Sequence, residues 1–300
     1  GKIETNTATF SKTITVTTTA SSLDAFGSAR TISGTITRNA AGTVTLNVGG
    51  TTVSNAEGQD LTLSGTISNT TGTLAITKTG TSTVIISGAS NSYSGATTIS
   101  AGELRIDANV AATGNGALGN GGAINLAGGT LLTNTTTFAR AITVTVTNST
   151  VDAYGSARTI SSNINLATAG TFNLNVGGTT VTNAEGQSLT LSGVIANSSG
   201  TLGLTKIGSS TVILSTSTNT YTGAVAVNAG VLSVRNAAST GTTAGGVTVS
   251  SGGSLQLDGG IAVGAEALTL NGDGVSCCSS GALLNASGSN SWGGAITLGS

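Results

Sequence analysis

The sequence predicts an all-β protein built as a parallel β-helix, a solenoid of short stacked strands with essentially no α-helix. Three observations support this prediction: a period-two alternation of apolar and polar residues, a composition that favours a thin core, and a duplication of the chain at a constant offset. Together they favour stacked coils over a compact globular domain.

Short alternating runs recur along the chain. Examples are TVTLNV at 43–48, LTLSG at 61–65 and TVIIS at 83–87, and Gly, Asn or Ser residues end such runs. No window of about eleven residues has the apolar spacing of an amphipathic helix, and the abundant Thr, Val and Gly disfavour one. We therefore expect more than half of the chain in strands and less than about 5% in helices.

The composition favours a narrow interior. The 300 residues include 46 Gly and no Pro, His or Met, and 37% are hydrophobic but only 3% aromatic. Large rings usually fill wide globular cores, so their scarcity indicates a thin core of Val, Ile, Leu, Ala and Thr.

The chain duplicates itself without a gap. Residues 9–33 align with residues 137–161 at an offset of 128, which is Phe138 minus Phe10. Stacked coils keep such a fixed count because each turn must lie on the one before it, whereas duplicated globular domains tolerate loops of different length. A third, divergent copy follows. The predicted divisions are a repeat unit at 1–128, a second unit in the same register at 129–235, and a divergent continuation of the same β-helix at 236–300.

Residues 74–106 and 202–234 resemble the autotransporter-associated β-strand repeat. Each window contains Thr-Lys-x-Gly, a Thr-Val strand, an Asn-x-Tyr-x-Gly turn, and a strand closed by Ser-Ala-Gly-x-Leu or Asn-Ala-Gly-x-Leu. The resemblance implies a right-handed parallel β-helix with coils of about 20–25 residues, which at about 4.8 Å per coil gives one rod on the order of 60–70 Å long. It also implies a secreted bacterial surface protein, often an autotransporter passenger, and therefore an extracellular or cell-surface location.

The Asn-x-aromatic-x-Gly frame occurs three times. In the structural interpretation, Asn caps a turn, the ring covers the edge of a coil, and Gly adopts a conformation that other residues avoid. In the alternative, the rings are sugar-stacking platforms, although several coils would separate the two tyrosines. The structural turn candidates are Asn91, Tyr93, Gly95, Asn219, Tyr221, Gly223, Asn290, Trp292 and Gly294.

The sequence lacks the residues that enzymes of the expected classes usually need. Without His there is no Ser-His-Asp triad, no His-ligated metal and no imidazole base. A polysaccharide-degrading β-helix would need paired carboxylates or a Ca²⁺ cluster, and the 11 acidic residues are scattered. We expect no catalytic residue and no metal site.

The heptapeptide DAFGSAR returns as DAYGSAR in the second copy. It places Asp24 near Arg30, and Asp152 near Arg158. Catalysis needs one competent site, whereas every coil corner needs to be held, so the duplication indicates structure. We expect each pair to form a salt-bridged turn, or each residue to contact a neighbouring coil.

The charge distribution argues against two classes of partner. Ten basic and 11 acidic residues give a net charge of −1 with no charged cluster, so we expect neither nucleic-acid binding nor membrane insertion by this segment. GNGALG at 114–119 matches a dinucleotide fingerprint by letter, but no helix-forming stretch follows it, so we expect a glycine-rich turn and no cofactor.

Cys277 and Cys278 are adjacent and are the only cysteines. Consecutive strand residues point to opposite faces, so a bond between them requires a strained turn. Three states fit the pair: free thiols, a vicinal disulfide, or a cross-link to another chain.

The sequence as a whole favours a non-catalytic extracellular structural protein, a β-helical rod or fibre segment serving as stalk, sheath or filament. The alternatives are an adhesin or carbohydrate-binding passenger that contacts surface polysaccharide and a polysaccharide-degrading β-helix. Because a β-helix exposes strand edges at both ends, we also expect a longer array, formed by end-to-end self-association or by a longer parent chain.

Overall fold

The structure is a computed structural model that describes residues 1–50, 58–136, 138–178, 186–275 and 281–299. These residues contain no helix and are 48% strand, arranged in several long parallel sheets. The predicted class, an all-β parallel β-helix, is confirmed, although the strand content lies slightly below the expected half. Within the same residues, no helix is long and apolar enough to cross a membrane.

The chain divides into two compact units, residues 1–142 and 143–300. The strands of unit 1 are short, apart from two long ones. They are β1 (Lys2–Thr5), β2 (Thr9–Phe10), β3 (Ile14–Thr15), β4 (Ser21–Ala25), β5 (Arg30–Ile32), β6 (Ile36–Val48), β7 (Leu61–Leu63), β8 (Ile67–Lys78), β9 (Thr83–Ile86), β10 (Thr97–Ile99), β11 (Glu103–Ile106), β12 (Ile124–Leu126) and β13 (Thr130–Thr133).

Unit 1 consists of two stacked parallel sheets that the chain visits in turn. One sheet has the order β1-β4-β6-β8-β10-β12, with β3 also paired to β6, and the other has the order β2-β5-β7-β9-β11-β13. Paired residues lie 20 positions apart between Thr83 and Glu103 but 31 apart between Arg30 and Leu61. The expected coil length of 20–25 residues is therefore too narrow, because some connections carry extra residues that leave the strand register intact.

Unit 2 contains the remaining strands, the first of which begins at the boundary. They are β14 (Ile142–Val144), β15 (Ser149–Ala153), β16 (Arg158–Ile160), β17 (Ile164–Leu166), β18 (Thr171–Val176), β19 (Leu189–Leu191), β20 (Ile195–Asn197), β21 (Thr201–Lys206), β22 (Thr211–Leu214), β23 (Val225–Val227), β24 (Gly230–Val234), β25 (Val247–Val249), β26 (Gly253–Asp258), β27 (Ala262–Val263), β28 (Leu268–Leu270), β29 (Leu283–Ser287), β30 (Ser291–Trp292) and β31 (Ile296–Leu298).

Unit 2 repeats the parallel arrangement with an additional face. Its two main sheets have the orders β15-β18-β21-β23-β25-β28-β31 and β16-β19-β22-β24-β26-β29; β14-β17-β20 forms a shorter run of three strands, and β27-β30 is a pair. Every pair within the unit for which a register is defined is parallel.

Ladders of aliphatic side chains fill the core, as the period-two pattern predicts. In unit 1, Leu61 pairs with Val84, Val84 with Leu104, and Leu104 with Leu131, and all four side chains are fully buried. Burying one such side chain is worth about 1.5–3 kcal/mol. The ladders therefore fix the register of successive coils and position the turns between them.

Candidate functional site

The first Asn-x-Tyr-x-Gly turn is built around a buried amide. Asn91 is fully buried, and its Oδ1 accepts a hydrogen bond from the backbone N–H of Ile67 at 2.8 Å. Its Nδ2 donates to the carbonyls of Gly88 at 3.1 Å and Ala117 at 2.6 Å. One side chain thus joins its own turn to the coil before it and to the loop after it.

Tyr93 lies inside the same turn. Its ring is fully buried, its hydroxyl is 2.7 Å from Thr97 Oγ1, and burial raises the pKa of the phenol above its usual value. A Cβ built on Gly119, in the loop that follows, would lie 2.3 Å from the Tyr93 carbonyl oxygen and 2.8 Å from its ring. The loop therefore covers the tyrosine, and no ring face is open to a sugar.

Gly95 completes the turn for a reason that differs from our expectation. Its φ is not positive, so it does not need a conformation that other residues avoid. Instead, a Cβ at this position would lie 2.5 Å from the carbonyl oxygen of Leu74 and 2.6 Å from the Cα of Ala75. The role expected for Gly95, and likewise for Gly223 and Gly294, is corrected to close backbone approach between coils.

The second copy repeats this construction. Asn219 Oδ1 accepts from the N–H of Ile195 at 2.8 Å, and its Nδ2 donates to the carbonyl of Ser239 at 3.0 Å. Tyr221 is fully buried, and its hydroxyl donates to the same carbonyl at 3.1 Å. A Cβ on Gly223 would lie 2.5 Å from the backbone of the preceding coil.

The third copy keeps the amide contacts in a more open setting. Asn290 is half-buried; its Oδ1 accepts from the N–H of Ile261 at 2.6 Å, and its Nδ2 donates to the carbonyl of Leu257 at 3.1 Å. Trp292 donates from Nε1 to the carbonyl of Glu266 at 2.7 Å. A Cβ on Gly294 would overlap that same carbonyl oxygen.

A second asparagine, which is not among the predicted turn residues, supports each of the first two turns. Asn69 Oδ1 accepts from the N–H of Ser94 at 2.7 Å, and its Nδ2 donates to the Gly72 carbonyl at 2.8 Å. Asn197 does the same with Thr222 at 2.8 Å and with a carbonyl of its own turn at 2.9 Å. The signal was present, since 197 minus 69 equals the repeat offset of 128.

Two buried lysines, which are also not among the predicted residues, hold another corner. Lys78 is fully buried, and its Nζ donates to the carbonyls of Thr79 at 2.6 Å, Gly80 at 2.9 Å and Ala101 at 3.1 Å. Lys206 makes the equivalent three bonds at 2.6, 2.8 and 3.0 Å. Burial lowers the pKa of each lysine to about 8. Each ammonium group therefore joins the corners of two successive coils.

The acid and base of DAFGSAR have separate partners. Asp24 is buried, and its carboxylate accepts from the N–H groups of Ala25 at 2.8 Å and Gly58 at 3.2 Å, while burial raises its pKa. Arg30 donates to the carbonyl of Phe26 at 3.1 Å and to Asn6 Oδ1, in the preceding coil, at 2.7 Å. Within the described part of the chain, the two side chains do not form a salt bridge, because backbone amides satisfy the carboxylate; each instead contacts a neighbouring coil, which is the second of the two expected arrangements.

The second heptapeptide has similar surroundings. Asp152 accepts from the N–H groups of Ala153 at 2.8 Å and Gly186 at 3.0 Å. Arg158 donates from Nε to the carbonyl of Tyr154 at 3.2 Å. Both copies therefore use the aspartate to bind backbone of its own coil and of a later one.

Other candidate chemistry is sparse. Cys277 and Cys278 lie outside the described residues. Among the residues that are described, no group of three or more His, Cys, Asp and Glu side chains could hold a metal ion. A groove of about 710 Å³ in unit 2 is lined mainly by small residues, including Gly208, Gly230 and Gly252, with Asp273 as its one carboxylate. The described part of this groove has no second acid with which to perform glycoside hydrolysis.

Comparison with known proteins assigns the repeat. Residues 76–106 and 204–234 match the model of the passenger-associated-transport-repeat family, so the chain carries two copies of an autotransporter-associated repeat. The matched segments contain the buried lysines and the Asn-x-Tyr-x-Gly turns. This repeat occurs in autotransporter passengers, is not an enzymatic family, and implies exposure at the cell surface or outside the cell. No curated protein and no solved structure matches the chain.

Proposed function

We propose that this chain is a non-catalytic structural segment of an autotransporter passenger, a β-helical spacer that projects other parts of the passenger from the bacterial surface. The observation that carries the proposal is the burial of Tyr93 and Tyr221, the tyrosines of the two Asn-x-Tyr-x-Gly turns. Residues that recur in order to bind sugar would present their ring faces to solvent. These rings instead fill the interior beneath the following loop.

The polar contacts support the same function. The repeated side chains Asn91, Lys78 and Asp24, together with their counterparts 128 residues later, bind backbone atoms of neighbouring coils. Groups that are fully occupied in this way stabilise a stack and are not free to act on a substrate.

We also propose that the segment belongs to a longer array. On β31, Ile296 is 46% exposed and Leu298 is 78% exposed. Another coil, from the same chain or from a second copy, would cover these side chains in the way that coils cover one another inside each unit.

A deletion matched to the repeat tests the spacer role. Removing residues 10–137 joins Thr9 to Phe138 and preserves the register, because the two Phe residues are equivalent. We expect the shortened chain, placed between a reporter domain and an outer-membrane carrier, to be exported and to display an active reporter. A deletion of half that length serves as the out-of-register control and is expected to reduce display.

The same proteins test the alternative functions. We expect neither the full nor the shortened chain, without the reporter, to retain bacterial polysaccharides or to release reducing ends from them. Specific retention by the full chain that the deletion abolishes would contradict the spacer role and favour a carbohydrate-binding passenger. Release of reducing ends would favour an enzyme.

A further inference from the structure

In unit 1, a buried arginine holds the loop that covers Tyr93. Arg140 is only 2% exposed and donates to backbone carbonyls of this loop. Its partners are Ala111 at 3.1 Å, Gly114 at 3.0 Å, Gly119 at 2.8 Å and, in a short contact, Gly121. A positive charge thus satisfies several carbonyl oxygens at once.

Glu266 is the counterpart of Arg140 in unit 2. The residue after Arg140 is Ala141, whose carbonyl accepts a hydrogen bond from Ile124 N–H at 2.9 Å. The residue after Glu266 is Ala267, whose carbonyl accepts the corresponding bond from Val247 N–H at 2.8 Å. The covering loops also correspond, since a Cβ on Gly241 would lie 2.8 Å from the Tyr221 ring, as one on Gly119 would from the Tyr93 ring. The position beside the covering loop is therefore occupied by a carboxyl group in unit 2 and by a guanidinium group in unit 1.

The carboxyl group is incompletely bonded. Glu266 is 1% exposed, and its Oε2 accepts a short hydrogen bond from Thr240 Oγ1. Its Oε1 is buried and has no hydrogen-bond partner among the described residues, and the same is true of Oγ1 of Thr242, which directly follows Gly241. Burial raises the pKa of this carboxyl group, as expected for an acid whose charge is not compensated.

We propose that the Glu266 carboxylate and the covering loop at 236–246 bind a hard cation of the calcium class between them. The cation would replace the positive charge that Arg140 supplies in unit 1. The oxygens on offer are the carboxylate, the Thr240 hydroxyl that donates to it and, by correspondence with the acceptors of Arg140, backbone carbonyls of the loop. Oxygen ligands of this kind are those that Ca²⁺ prefers.

The single carboxylate sets the expected strength of binding. Calcium sites with few charged ligands in extracellular modules have dissociation constants of about 10⁻⁴–10⁻³ M. Such a site needs no cluster of three acidic residues, and waters would complete its coordination. We expect occupation in the millimolar calcium range.

Trp292 makes the site directly observable. Its Nε1 donates to the Glu266 carbonyl at 2.7 Å, and it is the only tryptophan in the chain. Exciting this indole in the presence of Tb³⁺ is therefore expected to give saturable terbium luminescence that Ca²⁺ displaces. Calcium is also expected to raise the melting temperature of the wild-type chain.

Three variants separate this site from non-specific binding. Glu266→Gln is expected to weaken Tb³⁺ binding at least about 10-fold, in line with the loss of the only charged ligand. Glu266→Arg is expected to abolish it and to raise the melting temperature in EDTA, because an arginine would restore the unit 1 arrangement. Asp273→Asn, which removes an exposed carboxylate of the same unit, is expected to leave the luminescence unchanged.

Two results would overturn the proposal. One is terbium luminescence that is absent, or that is equal in wild type and Glu266→Gln. The other is a Glu266→Gln chain that is as stable in EDTA as wild type is in calcium, since Glu266 would then be a buried neutral acid. If Glu266→Gln does not fold, the calcium shift of the wild type and the Glu266→Arg variant decide the question.

Discussion

Replacing Asn91 with Asp tests whether the amide of the repeated turn holds the coils together. The substitution keeps the size of the side chain and the oxygen that accepts from Ile67 N–H, but it removes the NH₂ group that donates to Gly88 and Ala117. Two buried carbonyl oxygens then lose their donor and face a carboxylate.

The magnitude follows from these contacts. Leaving a buried polar group without its partner costs about 1–3 kcal/mol, so two such groups give a loss of about 4 kcal/mol in the free energy of unfolding at pH 7. Asn219→Asp is the matched comparison, because Asn219 Nδ2 donates to one carbonyl, that of Ser239. Because the Ser239 carbonyl keeps its hydrogen bond from the Tyr221 hydroxyl, Asn219→Asp leaves no carbonyl without a donor, and we expect it to cost at least about 2 kcal/mol less than Asn91→Asp.

The loss is expected to depend on pH. Burial next to carbonyl oxygens raises the folded-state pKa of the new carboxyl group above its unfolded value of about 3.9. The protonated acid can donate one hydrogen bond. The stabilisation from this bond is fully present below about pH 4 and is lost as the pH rises through the folded-state pKa. The stability gap between wild type and Asn91→Asp should therefore widen from pH 4 to pH 7.

Guanidinium denaturation followed by far-UV circular dichroism measures this gap, with wild type, Asn91→Asp and Asn219→Asp compared at both pH values. A loss below about 0.5 kcal/mol for Asn91→Asp, typical of a surface substitution, would refute the reasoning. So would a loss that does not change with pH.

Two further predictions concern the backbone and the lysines. Gly95→Ala is expected to cost about 2–3 kcal/mol because its methyl group would lie 2.5 Å from the Leu74 carbonyl oxygen, whereas Gly122→Ala, which has open space, is expected to be neutral in the same denaturation assay. Burial lowers the pKa of Lys78 and Lys206 from 10.5 to about 8, so above pH 8 the unfolded state binds more protons than the folded state. The stability of wild type relative to Lys78→Met should therefore rise between pH 8 and pH 10, by up to about 3 kcal/mol. Denaturation midpoints of the two proteins across this range measure the rise, and a flat or falling difference would contradict it.

The fold could be predicted because its signals are local and repeated. Period-two runs place Leu61 and Leu63 on one face, and the structure buries both. The constant offset indicates coils that stack in register. The coil length was less predictable, because connections such as the one between Arg30 and Leu61 lengthen without disturbing the pairing of the strands.

The candidate site could be located from the sequence, but its contacts could not. The partners of Asn91 include Ala117, which lies in a loop with no strand pattern. Asp24 and Arg30 are close in sequence, which favours an ion pair, yet the stack brings the Gly58 N–H to the aspartate instead. Lys78 follows Leu74 and Ile76 in the inward-facing phase, so its burial was indicated by the alternation.

The height of a displayed reporter tests the spacer account most directly. In unit 1, successive strands of one sheet place Thr9, Thr31, Thr62, Ile85, Arg105 and Leu132 in register, which is five steps from first to last. At about 4.8 Å per coil, deleting residues 10–137 should lower the reporter by about 24 Å relative to the full chain, with its activity retained. An unchanged height, or a reporter that collapses onto the membrane, would contradict the account.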